Sequence, residues 1–171
     1  ELNSDLTLGN SLAAPRLAQL AEDIAAITGA KVFLLRPGLF ALTLTEETRP
    51  AQLYRQLSDW QFQGLAPKLA LGYIPLPLLA NPDVKLSPET LVETAQLALA
   101  GAISLQNNQG SYVGFSTLDF TPAAIFSAPL YLQLQKSIIR GLIRVETNGE
   151  KDKIHWPEVL QPSRSEHVSI I

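Results

Sequence analysis

Cysteine and methionine are both absent from the 171 residues of this chain. Without cysteine there can be no disulfide, no zinc thiolate site and no thiol nucleophile, a usage that fits a reducing cytoplasm. Without methionine, the opening Glu1-Leu2-Asn3-Ser4-Asp5 reads as an incomplete N-terminus, and it carries no targeting pattern. Charged residues make up only 17% of the chain and aromatics 7%, with a net charge of −3. No run of Lys and Arg occurs, which argues against a nucleic-acid partner, because neutralising phosphates needs clustered cations. No stretch approaches the ~18 consecutive apolar residues of a membrane span, so no direct membrane insertion is expected. There is no Gly-x-Ser-x-Gly elbow and no glycine-rich phosphate loop. His155 and His167 stand apart from any spacing that would converge on a metal.

What the chain does hold is 46% hydrophobic residues, enough for one domain with a real core and a modest appendage. Its organising stretch is residues 31–46, KVFLLRPGLFALTLTE. Val32, Phe33, Leu34 and Leu35 form a continuous apolar run, the pattern of a strand buried on both faces. Arg36-Pro37-Gly38 interrupts it, since proline fixes φ and glycine permits φ > 0. Phe40, Leu42 and Leu44 then alternate with Ala41, Thr43 and Thr45, the period of a strand with one buried face. The pattern predicts a β-hairpin whose tip, residues 36–39, is the place for a site.

Before this hairpin, Pro15 opens a predicted helix with Leu17, Leu20, Ala21, Ile24 and Ile27 at helical spacing, closed by Gly29. After it, Pro50 opens a second helix with Leu53, Leu57 and Trp60 on one face and Gly64 beyond. Residues 68–74 (KLALGYI) read as a buried strand, and the three prolines of residues 75–86 as an irregular excursion. Ser87-Pro88-Glu89 has the cap, the proline and the acid of a helix start, and the helix should bury Leu91, Val92, Ala95, Leu99 and Ala102. Gln106 to Ser111 reads as a polar turn before a short strand, Tyr112 to Phe115. Ser127 then caps a helix carrying Leu130, Leu134, Ile138 and Ile139, closed by Gly141. Residues 142–147 and 150–156 read as two strands around Asn148-Gly149, a strong hairpin signal. The predicted class is α+β, helices packed on an antiparallel sheet, with a C-terminal helix and β-hairpin added. The tail from Pro157 is polar, up to His167-Val168-Ser169-Ile170-Ile171.

The strand, tight turn, "F-A-L" and second strand resemble the signature hairpin of the GGDEF (diguanylate cyclase) family. The family's Gly-Gly-Asp/Glu-Glu-Phe falls on Arg36, Pro37, Gly38, Leu39 and Phe40, of which Phe40 alone matches. Leu8-Gly9-Asn10 followed by Leu17 resembles "G-H-x-x-G-D-x-x-L", with Ala13-Ala14 in place of Gly-Asp. ALGYI at residues 70–74 resembles "S-I-G-I-A". AQLALAGA at 95–102 resembles "A-D-x-A-L-Y-x-A", with Ala100 at the tyrosine and Ile103 at the following lysine. GSYVGF at 110–115 resembles the closing "G-x-N-x-Y-x-x-F" strand. The resemblance runs over residues 8–115 and implies a nucleotidyl-cyclase-like antiparallel sheet flanked by helices, over 1–116, followed by an appendage and tail over 117–171. The helix over 127–140 followed by IIRGLIRV (Ile138 to Val145) further resembles the linker helix and first strand that join GGDEF to EAL domains in tandem proteins.

The chemistry that the resemblance would bring is missing residue by residue. Joining two GTP molecules needs metal-ligating carboxylates, and the turn offers Gly38 and Leu39. The acid that reads guanine falls on Ala14, and the phosphate-facing lysine on Ile103. The family's inhibitory Arg-x-x-Asp falls on Ile27-Thr28-Gly29-Ala30, where no cation–carboxylate pair remains. Arg36 reads as a solvated cation on a turn, since one unassisted Arg makes a poor phosphate site; Glu46, Glu47 and Asp152 also read as solvated. The resemblance therefore implies an inactive, cofactor-free and metal-free regulatory or scaffold module of bacterial cyclic di-GMP signalling. Such a module is cytoplasmic, or the cytoplasmic part of a larger membrane-anchored protein, and acts through a protein partner, the parent protein's other domains or a homodimer. The alternative is a small-molecule or nucleotide sensor that uses the remodelled, now apolar, cleft. Ile143, Val145, Ile154 and Trp156 give the C-terminal hairpin one apolar face, which must be covered either by the chain's own sandwich or by a partner.

Overall fold

Leucine and isoleucine at positions 17, 20 and 24 share one face of a helix, and all three are buried. In the computed structural model, which describes residues 13–45, 48–60, 69–81, 83–105, 110–118, 143–157 and 168–170, they lie on α1 (Ala13–Thr28). The helix starts two residues before the predicted Pro15 and ends as expected at Gly29. That glycine adopts φ 67 and its N–H reaches back to the Ala25 carbonyl at 2.8 Å, a left-handed cap that glycine takes without steric cost. The Thr28 hydroxyl donates to the Ile24 carbonyl at 2.7 Å and accepts from the Ala30 N–H at 3.2 Å.

The chain divides into two compact units, Glu1–Ala70 with Asn108–Gly110 and Arg164–Ile171, and Leu71–Asn107 with Ser111–Ser163. In the first, α1 leads into the antiparallel hairpin of β1 (Lys31–Arg36) and β2 (Leu39–Thr43). Next comes α2 (Pro50–Ser58), with proline in its first turn and Leu53 and Leu57 buried. It stops before Trp60, which the spacing had placed on the same face; the Ser58 hydroxyl instead takes the Tyr54 carbonyl at 2.7 Å. The first unit gains a third strand from far along the sequence, β6 (Val168–Ile170), which runs parallel to β2 with Leu39 opposite Ser169 and Phe40 opposite Ile170. The expected sheet was antiparallel throughout; this pairing makes it mixed.

The largest departure from the sequence reading is β1. Its apolar run was expected to be buried on both faces, yet Phe33 is 50% exposed, Leu34 48% and Leu35 42%. The physical reason is position. β1 is a terminal strand in the sheet order, with β2 as its strand neighbour among the described residues, and a run of apolar residues does not say whether anything covers it. On β2 the alternation is clearer: Phe40 is buried, Leu42 and Leu44 half-buried, Thr43 and Thr45 exposed. Leu39, at the turn, is buried as well.

In the second unit, β3 (Leu69–Tyr73), whose last three residues belong here, stands beside β4 (Ser111–Phe115). β4 pairs antiparallel with β5 (Val145–Thr147), Gly114 opposite Glu146 and Phe115 opposite Val145. α3 (Pro88–Ser104) supplies the core with Ala95, Leu97, Ala98, Leu99 and Ala102; Leu91 and Val92, also expected inside, are half-buried. Between β3 and α3 the proline-rich stretch is irregular as predicted, tied down by Leu79 bridging to Leu118 and by the Leu118 N–H on the Leu78 carbonyl at 2.7 Å. α3 begins as its sequence dictates: the Ser87 hydroxyl accepts from the Thr90 N–H at 3.2 Å, satisfying one of the donors that a helix start leaves unpaired. Ser87→Ala should therefore lower stability by about 1 kcal/mol, read as a shift of the urea midpoint at constant slope. An unmoved midpoint would show that the cap contributes nothing.

The expected hairpin around Asn148-Gly149 is not formed. β5 is followed by a single 3-10 turn, Lys151–Lys153, and residues 154–157 are in no strand. The side chain of Asn148 is engaged elsewhere, its oxygen accepting the Tyr112 backbone N–H at 2.9 Å, while β5 takes its strand partner from β4. The predicted helix over 127–140 lies outside the described residues, as do Gly64, Glu46, Glu47 and His167. Among the described residues no helix is long and apolar enough to cross a membrane.

Candidate functional site

The hairpin tip is built by two residues that fix its geometry. Pro37 and Gly38 form the turn between β1 and β2, and Gly38 takes φ 78, which with proline before it is the φ pattern of a type II turn. The register slips between Leu34 and Arg36, so Leu35 is the extra residue of a bulge, a device that bends a strand locally. Arg36 then stands opposite Leu39.

Each of the five signature positions now has a place. Arg36 and Gly38 are half-buried and Pro37 is exposed. Leu39 is 2% exposed and Phe40 fully buried. The position that in the resembled family would carry an acid is thus a leucine sunk in the core. Its side chain has no atom able to ligate a cation or accept a hydrogen bond. Ala14 is exposed on α1, and Ile103 is half-buried in the last turn of α3. Residues 27–30 form the capped end of α1, where the only side-chain polar group, the Thr28 hydroxyl, is occupied by backbone. Among the described residues no three His, Asp or Glu side chains gather into a metal-sized group.

The second candidate group, Ile143, Val145, Ile154 and Trp156, is covered by its own chain. Ile143 is 6% exposed and Val145 and Ile154 8% each. Trp156 is half-buried with its ring 5.9 Å from that of Phe115, tilted by 38°. The ring lies so close over α3 that a Cβ built on Gly101 would come within 2.7 Å of it, and within 3.2 Å of the Ile154 side chain. His155 is exposed and anchored by its backbone N–H to the Ser104 hydroxyl at 2.9 Å. Ile143, Val145 and Ile154 are thus part of the second unit's core.

Sequence reasoning passed over a group that the structure brings together on β3, β4 and β5. The absence of a side chain at Gly114 lets the Tyr73 ring lie across β4, where a Cβ would meet the ring at 2.1 Å. Its hydroxyl donates to the Glu146 carboxylate. Burial, and then the Glu146 acceptor, raise the Tyr73 phenol above its ordinary range. The Tyr112 ring stands 6.4 Å from that of Tyr73. A phenol with its proton committed to a carboxylate on β5 and its ring laid over Gly114 is a brace across three strands. The GSYVGF motif was visible in the sequence, but nothing in it told which residue would cross over Gly114.

No family model matches the chain, and no curated protein or solved structure matches it either.

Proposed function

We propose that this chain is a non-catalytic contact module, a cyclase-like domain that keeps the GGDEF hairpin as a structural part and acts through protein surfaces. The observation that carries this reading is the tip itself, where Leu39 and Phe40 are buried and the positions suited to metal and nucleotide contacts hold Gly38, Leu39, Ala14 and Ile103. A cyclase must gather several phosphates with cations and carboxylates, and these positions supply neither. The exposed apolar residues Phe33, Leu34 and Leu35 of β1 fit the same reading, because clustered apolar surface marks interaction sites. In this proposal the module belongs to a signalling protein and transmits state by docking.

The test is chemical. Purified protein incubated with GTP and either Mg²⁺ or Mn²⁺ should yield no cyclic di-GMP by chromatography, and calorimetric titration with GTP or cyclic di-GMP should show no heat of binding. Turnover above a no-protein control would overturn the reading. Micromolar nucleotide binding without turnover would favour a sensor working through the altered cleft.

A further inference from the structure

We propose that Asn148-Gly149 is a latent site of self-modification, an asparagine whose deamidation the fold holds back and whose conversion to isoaspartate loosens β5 from β4. The reaction belongs to the dipeptide itself, needs only water, and stands apart from the contact role proposed above.

In an asparagine–glycine pair the backbone nitrogen of the glycine attacks the side-chain carbon of the asparagine amide. A carbon–nitrogen bond forms, and the side-chain nitrogen leaves as ammonia, taking up the proton that the glycine nitrogen loses. Water then opens the resulting cyclic imide at either carbonyl, giving aspartate or isoaspartate. Glycine favours the attack because it puts no side chain in its path, and asparagine counts among the thermolabile residues.

The structure holds both reacting groups. The Asn148 side-chain oxygen accepts the Tyr112 backbone N–H at 2.9 Å, which fixes the amide against β4. The Gly149 N–H, on the attacking atom, donates to the Thr147 hydroxyl at 3.0 Å. A neutral hydroxyl accepts that hydrogen bond but is too weak a base to take the proton. Leu105, the residue that closes α3, lies over Gly149, so close that a Cβ there would meet its side chain at 2.9 Å. Ring closure must bring the Gly149 nitrogen onto the Asn148 side-chain carbon. Both hydrogen bonds break on the way, each worth about a factor of five.

The restraint is local. β5 is only 3 residues long and ends the sheet order among the described residues, the kind of element whose pairing opens well before the whole fold does. Asn148 is exposed, so water reaches it. The two products differ in what they do to β5. Aspartate keeps an oxygen where the Tyr112 N–H needs one. Isoaspartate carries the backbone through the former side-chain carbon and lengthens it, so Thr147 opposite Val113 and an acceptor for Tyr112 are no longer satisfied together. The site records each opening of β5 irreversibly, and the isoaspartate form keeps the strand end open.

The test follows the whole folded chain at neutral pH beside the synthetic peptide Val-Glu-Thr-Asn-Gly-Glu-Lys, the same sequence without the fold. Mass spectrometry separates amide from acid, and an isoaspartyl methyltransferase labels the isoaspartate fraction. The folded chain should deamidate about twenty-five-fold more slowly than the peptide, the effect of two hydrogen bonds. Thr147→Val keeps a β-branched residue on the strand and removes the acceptor, so its rate should rise about fivefold. Thr147→Ser restores a hydroxyl and should stay slower than Thr147→Val. The Tyr112 amide should exchange with deuterium faster in the isoaspartate form than in the unconverted chain. Equal rates in the folded chain and the peptide would overturn the proposal, and this comparison holds even where Thr147→Val destabilises the unit. Valine and serine variants of equal rate, or unchanged Tyr112 exchange after conversion, would overturn it as well.

Discussion

Gly72→Ala is expected to destabilise the protein by about 3 kcal/mol, the upper part of the range for forcing an extra carbon into a packed interior. The reason lies in what the new methyl group would meet. A Cβ at Gly72 would fall 2.3 Å from the Leu99 backbone nitrogen, 2.6 Å from the Ala95 carbonyl oxygen and 2.6 Å from the Leu99 Cα. All three are backbone atoms of α3, so no side chain can rotate away; strand and helix must move apart. That movement would loosen the packing of Leu97, Ala98 and Leu99, each 2% exposed or less. Urea unfolding followed by fluorescence, with Trp156 reporting from the same unit, measures the loss. In a thermal melt it should appear as a fall of roughly 6–12 °C for a chain of this size. Gly29→Ala provides the comparison: nothing lies within 4 Å of its added Cβ, so its cost is the strain of φ 67 alone, about 1–2 kcal/mol. If Gly72→Ala melts with the wild type, β3 and α3 are not in contact through their backbones.

The second large effect comes from two phenylalanines of one hairpin. Phe40→Ala should cost about 4 kcal/mol, because a fully buried aromatic ring leaves a cavity when removed. Phe33→Ala, seven positions earlier on the opposite strand, should cost under about 0.5 kcal/mol, as surface substitutions usually do, since half of that residue is already in water. The pair shares residue type and hairpin, so the difference isolates burial. It also shows what Phe40 does beside the turn. Fully buried, Phe40 holds the hairpin to its unit. Equal costs at the two positions would mean that β1 is covered after all.

The helix starts were the most legible part of the fold. Ser87-Pro88-Glu89 and Pro50 announce helices through local rules about unpaired N–H groups and fixed φ, and Gly29 announces an end for the same kind of reason. The β1–β2 hairpin was legible because Pro37-Gly38 leaves few backbone options. What lay beyond reach depended on partners distant in sequence. Val32 to Leu35 look like a buried strand, and only the sheet order reveals that one side of β1 is an edge. Asn148-Gly149 carries a hairpin signal, yet Asn148 spends its side chain on Tyr112 and β5 joins β4. The parallel pairing of β6 with β2 has no local sequence signal at all. At the candidate site, the absence of acids at the turn could be read from the letters. The burial of Leu39, and the covering of Ile143, Val145 and Ile154 by their own unit, required coordinates.

The β2–β6 pairing also has a consequence for biosynthesis. Leu39 leaves the ribosome long before its strand partner Ser169, and at typical translation speeds the interval is on the order of ten seconds. Throughout it, β2 has β1 as a neighbour but not β6, so the nascent hairpin presents open backbone on both flanks beside the apolar side chains of β1. Contacts this far apart in sequence close late, because the intervening chain must first be gathered in. The newborn hairpin therefore stays open on its β2 flank until residues 168–170, arriving so much later, relieve it.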